Sequence, residues 1–280
     1  MTEKMFKAYE AATRIVDEET SEEESCLLGG VKESDVVVVS GRYDRVENVL
    51  SLVDIRHHVI NPGAVGCTRL TPEQLLVINC PGAIDRCSVT AVRKFVEKGG
   101  SLFTTDWSLK NVLEPAFPGI VEFNEDPTAD AVVRIEVKDR DNPFLDDVFH
   151  EGSDPLWWLE GSSYPIRVLE PEKVQVLITS NELKAKWGEA PVAITFPFGD
   201  GEVFHMISHY YLQRAETRTK RHETSWTEYA AEAGAPSAAK YAPEYMADLN
   251  TGEVEAARTS VKMLRRMITR KQRINKERGA

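Results

Sequence analysis

The chain is predicted to be an α/β protein built on a largely parallel sheet flanked by helices. Three observations predict this. Asp35 to Ser40 (DVVVVS) is a continuous β-branched run, as expected of a parallel strand buried on both faces. Strand and helix patterns then alternate as far as residue 113, the rhythm of right-handed βαβ crossovers. From about residue 118 the helical patterns largely disappear and strand patterns follow one another. The second half therefore adds antiparallel strands to the sheet, or a small β subdomain beside it, before a C-terminal helical extension.

The elements follow in order. Residues 1 to 16 have Met5, Tyr9, Ala12 and Val16 at spacings of three and four, an amphipathic helix. The acidic run at 17 to 25 (DEETSEEES) reads as a solvated linker or mobile segment. After the first strand come a turn at 41 to 44, a helix at 45 to 53, and strands at 56 to 60 and 75 to 80, the last broken by Pro81-Gly82. Residues 89 to 98 form a helix with Val92, Phe95 and Val96 inward, stopped by Gly99-Gly100. Residues 101 to 105 are a strand, Asp106-Trp107-Ser108 a sharp corner, and 109 to 113 a short helix. Strands are expected at 131 to 137, 174 to 179, 192 to 196 and 202 to 207, the last two joined by a hairpin at Gly199-Asp200-Gly201. Residues 214 to 250 read as surface loop and short helix, punctuated by Pro236 and Pro243. A long helix at 253 to 277 carries Val254, Val261, Leu264 and Ile268 at helical spacings.

Bulk composition narrows the function. The 280 residues are 42% hydrophobic and 28% charged, a balance that supports a core without disulfide staples. A net charge of -11 argues against a bulk surface for nucleic acid or anionic membrane. No run approaches eighteen apolar residues, so no membrane span is expected. The acidic N-terminus has no apolar stretch of a secretory signal, and Cys26, Cys67, Cys80 and Cys87 form no CxxC pair. Reduced thiols and a cytoplasmic location are the expectation.

Three stretches carry a family resemblance. GRYDRVENVLSLVDIRHHVI (41 to 60) followed by LLVINCPGAID, then VTAVRKFVEKGGSLFTTDWSL, then PVAITFPFGDGEVFHMISHYY are similar to the class I glutamine amidotransferase-like superfamily. The resemblance runs from about 35 to 213 and implies a flavodoxin-like fold. In texture the chain resembles the noncatalytic or uncharacterised branch, including trehalose-utilisation-type proteins and the middle domain of some β-galactosidases. It divides the chain into a helical and acidic extension (1–34), the amidotransferase-like α/β domain (35–213), and an irregular segment with a basic C-terminal helix (214–280).

In catalytic members a cysteine occupies the elbow after the strand, and a histidine activates it as general base. Here the elbow reads Thr104-Thr105-Asp106-Trp107-Ser108, with no cysteine. Cys80 ends a different strand and Cys87 lies near a helix start. Asp106 is then a nucleophile, a general base or a metal ligand, or it caps the following helix through the N–H of Ser108 or Leu109, the reading its residue type favours. Ser108 is a weaker nucleophile, since GxSxG is absent. His209 falls where the resemblance implies the catalytic histidine. His205 lies four residues earlier, a spacing that on a helix puts both on one face, but EVFHMISHYY reads as a strand running into a helix or loop, where the two do not converge. Cys80, Gly82, Trp107, Ser108 and His205 complete a candidate pocket. Trp157, Trp158 and Tyr164 line a binding surface or, as favoured, cover the sheet. The acidic stretch at 139 to 147 lacks the spacing of a Ca²⁺ loop and reads as a turn.

The C-terminal helix is basic, with Arg265, Arg266, Arg270 and Arg273 as candidate interaction residues. Their partner is another protein, a second copy of the chain, or the chain's own 17 to 25 run; nucleic acid ranks below these. No cofactor or metal is expected. Two functions follow: a noncatalytic binding or scaffold protein, which the missing cysteine favours, and a hydrolase or lyase using Asp106 with His209.

Overall fold

The computed structural model describes residues 2–240 and 244–279; Pro243 lies outside them. The chain opens with helix α1 (Glu3–Glu19) and helix α2 (Glu22–Gly29). Strand β1 (Val36–Val39) leads through α3 (Val46–Leu52) to β2 (His58–Ile60) and then to β3 (Leu75–Ile78). Helix α4 (Arg86–Glu97) precedes β4 (Ser101–Thr105), and a π-helical turn at Leu109–Leu113 runs into α5 (Glu114–Ala116). Next come β5 (Val121–Phe123), β6 (Ala131–Arg134), β7 (Glu136–Val137), β8 (Leu156–Leu159), β9 (Ile166–Val168) and β10 (Gln175–Thr179). Helix α6 (Asn181–Trp187), β11 (Pro191–Phe198) and β12 (Gly201–Met206) close the sheet. The short helices α7 (Lys220–Glu223), α8 (Trp226–Glu232) and α9 (Pro236–Lys240) lead to α10 (Thr251–Arg278).

The main sheet has eight strands in the order β2-β1-β3-β4-β12-β11-β10-β7. Every neighbour pair from β2 to β12 is parallel, and β11, β10 and β7 are added antiparallel. The parallel part thus has the doubly wound order 2-1-3-4-5, with β12 as the fifth strand. Right-handed crossovers put α3 on one face and α4 on the other, because the chain reverses direction at β1. The packing agrees: α3 touches α1, while α4 touches the turn before β3 and α5. Strands β1, β3 and β4 are buried along their whole length, as their apolar runs require.

The predicted strand at 131 to 137 divides in two. Val132 and Val133 turn inward in a small ribbon of β6 with β8, and only Glu136–Val137 reaches the edge of the main sheet. Strands β5, β8 and β9 are not legible in the sequence; at three or four residues each they are too short to show alternation. Trp157 and Trp158 sit on β8 and are buried, covering rather than displaying a surface.

The acidic run is not a free linker. Its first part completes α1, and its second forms the start of α2, where the Ser21 hydroxyl accepts from Glu24 N–H at 3.2 Å. The run lies along α10. Glu19 binds Arg258 at 2.8 Å and Lys262 at 2.6 Å. Lys262 also reaches Asp147 of the predicted acidic turn at 2.6 Å. The four candidate interaction residues are spent in the same way: Arg265 on Asp17 and Thr20, Arg266 on Glu24 and Asp147, Arg270 on Glu202, Arg273 on Glu23. The chain itself supplies the acid they face, so an outside partner is not what holds them. Met5, Ala8, Tyr9, Ala12, Ile15 and Val16 bury the apolar face of α1 in the same layer. Among the described residues no helix is long and apolar enough to cross a membrane.

Candidate active site

Ligand sites in open parallel sheets form beyond the carboxyl ends of the strands, where the strand order reverses. Here that reversal lies between β1 and β3, and the ends of β1, β3, β4 and β12 meet beside it. The Cys80 carbonyl accepts from Arg42 N–H and Tyr43 N–H at 3.0 and 3.2 Å, which ties the loop after β1 to the end of β3. Gly41 permits this approach: a Cβ there would lie 2.4 Å from the Cys80 carbonyl oxygen. Cys80 N–H in turn donates to Thr105 Oγ1 at 3.1 Å, joining β3 to β4.

Asp106 forms the elbow after β4 with φ +47, a left-handed conformation that a non-glycine residue rarely adopts. Its N–H continues the ladder to the Met206 carbonyl at 2.9 Å. The cap expected of its side chain is not made. Leu109 N–H goes to the Asp106 main-chain carbonyl at 2.8 Å, and the carboxylate turns away from the helix. It accepts instead from Tyr164 N–H (2.8 Å) and Ser163 Oγ (3.1 Å), both in the turn after β8. Left-handed backbone at the elbow is what aims the carboxylate across the strand ends.

His209 follows β12 by three residues and is fixed from both sides. Ser208 Oγ donates to the Trp158 carbonyl at 2.8 Å, and Tyr210 and Tyr211 N–H donate to the buried Asp44 carboxylate at 3.2 and 3.1 Å. The ring is buried, edge-on to Trp158 at 5.9 Å. Its Nε2 lies 3.3 Å from Asp106 Oδ2 and its Nδ1 lies 3.2 Å from Glu160 Oε2. Neither contact is aligned as a hydrogen bond, so both ring nitrogens and Glu160 Oε2 are buried polar atoms held by charge alone. Cys80 Sγ stands 3.8 Å from Asp106 Oδ2.

Burial alone would favour a neutral ring at His209. The carboxylates of Asp106, Asp44 and Glu160 reverse this and raise it well above the ordinary imidazole value. Burial also raises the Asp106 carboxyl, against the pull of His209, Tyr164 N–H and Ser163 Oγ. Both directions say the same thing: the Asp106–His209 pair holds a proton. Burial pushes the Cys80 thiol up to about 11.

A cavity of about 160 Å³ opens onto this cluster, lined by Tyr43, Cys80, Asp106, Trp107, Glu160, Gly161 and Ser162. None of these lining residues is basic. Trp107 forms an aromatic wall, edge to face with Tyr43 at 5.1 Å and stacked on Tyr164 at 5.4 Å, and its Nε1 is pinned to the Ser162 carbonyl at 2.6 Å. Of the expected pocket, Cys80 and Trp107 line the cavity beside Asp106. Gly82 and Ser108 do not: they pack on each other behind the elbow, where a Cβ on Gly82 would meet Ser108 Oγ at 2.5 Å, and the Ser108 hydroxyl points back to the Ile78 carbonyl. His205 does not either. It lies within the sheet, its Nδ1 2.8 Å from Thr104 Oγ1, because β12 alternates its side chains.

Glu160, Ser163 and Asp44 do not stand out in the sequence. Glu160 and Ser163 lie in GSSY-type turn sequence that reads as loop, and only the pairing of β8 with β6 brings that turn to the elbow.

Fold and site together define a doubly wound α/β protein with a buried carboxylate at the elbow that follows its fourth strand. Among solved structures, a glutamine amidotransferase from Thermotoga maritima shares this fold with 9% identity and a TM-score of 0.50, over 85% of this chain and 97% of that one. A putative GMP synthase protein from Thermoplasma acidophilum is 13% identical with a TM-score of 0.46, over 74% of this chain and 94% of that one. The exo-β-1,4-mannosidase Op5Man5 from Opitutaceae bacterium strain TAV5 matches at 14% identity and a TM-score of 0.44; the match covers 77% of this chain and 36% of the mannosidase. At 9% identity the likeness to the Thermotoga protein concerns the fold alone. No family model matches the chain, and no curated protein matches it.

Proposed function

We propose that this protein is a hydrolase or lyase of small neutral or cationic molecules. Asp106 and His209 transfer the proton, and Glu160 orients the ring. The observation that carries this reading is the line Asp106 Oδ2, His209 Nε2, His209 Nδ1, Glu160 Oε2, with steps of 3.3 and 3.2 Å at the ends, beside an open cavity. Catalytic constellations are recognised by such roles rather than by sequence position. A carboxylate at the elbow replaces the thiolate that acyl transfer from glutamine needs, so amidotransferase chemistry is not proposed. Of the pair only Asp106 lines the cavity, so its carboxyl passes the proton to a leaving group and takes one from water or substrate, with the His209 ring behind it as the proton's reservoir. The substrate class follows from charge: Asp106, Glu160 and Asp44 outnumber the one imidazolium, and no basic side chain lines the cavity to receive a phosphate or carboxylate.

The noncatalytic reading keeps the missing cysteine but loses the support of the charged extensions, because the basic face of α10 is turned onto the chain's own acids. The test is a screen of the full-length protein against small neutral and cationic esters, amides, glycosides and elimination substrates. Any turnover found is expected to fall about 10²- to 10⁴-fold in His209→Gln and in Asp106→Asn, with little change in KM. Turnover that survives both substitutions, or a wild-type protein inert across the screen, would overturn the proposal.

A further inference from the structure

We infer that Cys80, Asp106 and His209 form a binding site for a single zinc-type divalent cation, with Glu160 as its outer support and the cavity as its open coordination position. Cys80 Sγ, a carboxylate oxygen of Asp106 and a ring nitrogen of His209 all lie within 4.8 Å of one another. The distances fit a particular ion. Zinc sits about 2.3 Å from thiolate sulfur, about 2.0–2.1 Å from imidazole nitrogen and about 2.0–2.2 Å from carboxylate oxygen. A tetrahedral centre then sets a sulfur–oxygen edge of about 3.6 Å and a nitrogen–oxygen edge of about 3.4 Å. The corresponding separations here are 3.8 Å and 3.3 Å.

A second and independent observation points the same way. Both His209 nitrogens are buried and without an aligned hydrogen bond, and so is Glu160 Oε2. In a metal-free protein that arrangement is costly. With a cation at Nε2, the proton sits on Nδ1, 3.2 Å from Glu160 Oε2, and a turn of the ring would align the two as the carboxylate–histidine–metal chain typical of such centres. Asp106 has its own outer support in Ser163 Oγ and Tyr164 N–H. One sulfur, one nitrogen and one oxygen ligand suit borderline Zn²⁺ better than Mg²⁺ or Ca²⁺, which take oxygen ligands. Three protein ligands beside a cavity match the open type of site rather than the closed structural type. Binding sends the thiol proton of Cys80 and the proton on Nε2 to solvent. The expectation of no metal, made from sequence, is thereby revised.

The inference does not rest on the proton-transfer reading: with the cation bound, His209 Nε2 and Asp106 are ligands and transfer no proton, so that reading applies to the metal-free protein. The test is to titrate the reduced, metal-free full-length protein with Co²⁺. The expected result is one Co²⁺ per chain, a thiolate-to-cobalt charge-transfer band, and complete displacement by Zn²⁺. Cys80→Ser is expected to lose the band, and Glu160→Gln to weaken Co²⁺ binding about 10- to 100-fold. A variant with Cys26, Cys67 and Cys87 all changed to serine is expected to keep the band, since those thiols are exposed and away from the site. No band in the wild type, or a band that survives Cys80→Ser, overturns the metal site. The hydrolysis screen run with chelator judges the proton-transfer reading separately, so either proposal can fail while the other holds.

Discussion

Two regions of this molecule bury ionised groups, and they do so differently. At the seam of α1 and α10, Arg258 reaches Glu19 through Nε and Nη2 at 3.1 and 2.8 Å, and Lys262 adds a contact at 2.6 Å. The hydrogen bonds there are aligned, and Arg258 Nη1 also donates to the Val148 carbonyl. At the strand ends, His209 lies between two carboxylates with neither contact aligned, next to a residue in left-handed backbone and beside a cavity. The seam spends its charges on holding two ends of the chain together. At the site Asp106 is bonded, but both His209 nitrogens and Glu160 Oε2 lack an aligned partner; at the seam Arg265 Nε and Arg266 Nε do too, but the other nitrogens of those groups are paired.

That contrast breaks most easily at the seam. Glu19→Gln leaves Arg258 buried without its counter-ion and Lys262 with Asp147 alone, and is expected to cost about 3–5 kcal/mol, read as a lowered midpoint in urea denaturation. A change under about 1 kcal/mol would mean that the seam does not clamp the two ends.

A pH effect comes next. His205 is fully buried, and burial depresses it from its ordinary value to about 3, against a small opposing effect of Thr104. Between pH about 6.5 and about 3 the unfolded chain binds a proton at this histidine and the folded chain does not. Stability is therefore full above that range and falls as the pH drops through it. The decline should be shallower in His205→Gln, measured by denaturation at a series of pH values. Equal slopes for the two proteins would rule out the assignment.

Asp106→Asn should change stability by no more than about 1 kcal/mol. Asparagine tolerates left-handed backbone, it still accepts from Tyr164 N–H, and the His209 ring can become neutral. A loss as large as that of Glu19→Gln would make the site a second clamp. The smallest effect is expected at Arg273→Ala, where an exposed pair with Glu23 is worth about 0–1 kcal/mol.

Much of the fold was legible because it rests on local chemistry. Val36 to Val39, most of the helix Arg86–Glu97 (read at 89 to 98) and the hairpin at Gly199 each declare themselves within about ten residues. Asp106 and His209 were legible as candidates because the family resemblance implies a reactive residue at the elbow and a histidine after the last strand. What Asp106 does was not: a helix cap and an outward carboxylate differ only in which way the side chain turns, and here the elbow has φ +47 and the carboxylate meets Tyr164 and Ser163 from a distant turn.

The sequence by itself determined the α/β alternation, the parallel strands and the strand-to-helix corner, since periodicity and β-branching act over neighbouring residues. Tertiary structure alone decided that residues 80, 106, 160 and 209 share one cluster, and that the acidic run at 17 to 25 meets the basic helix about 240 residues later rather than another molecule. The physical reason is topology. Adjacent strand ends come from distant parts of the chain, and no local pattern records which ends will be neighbours.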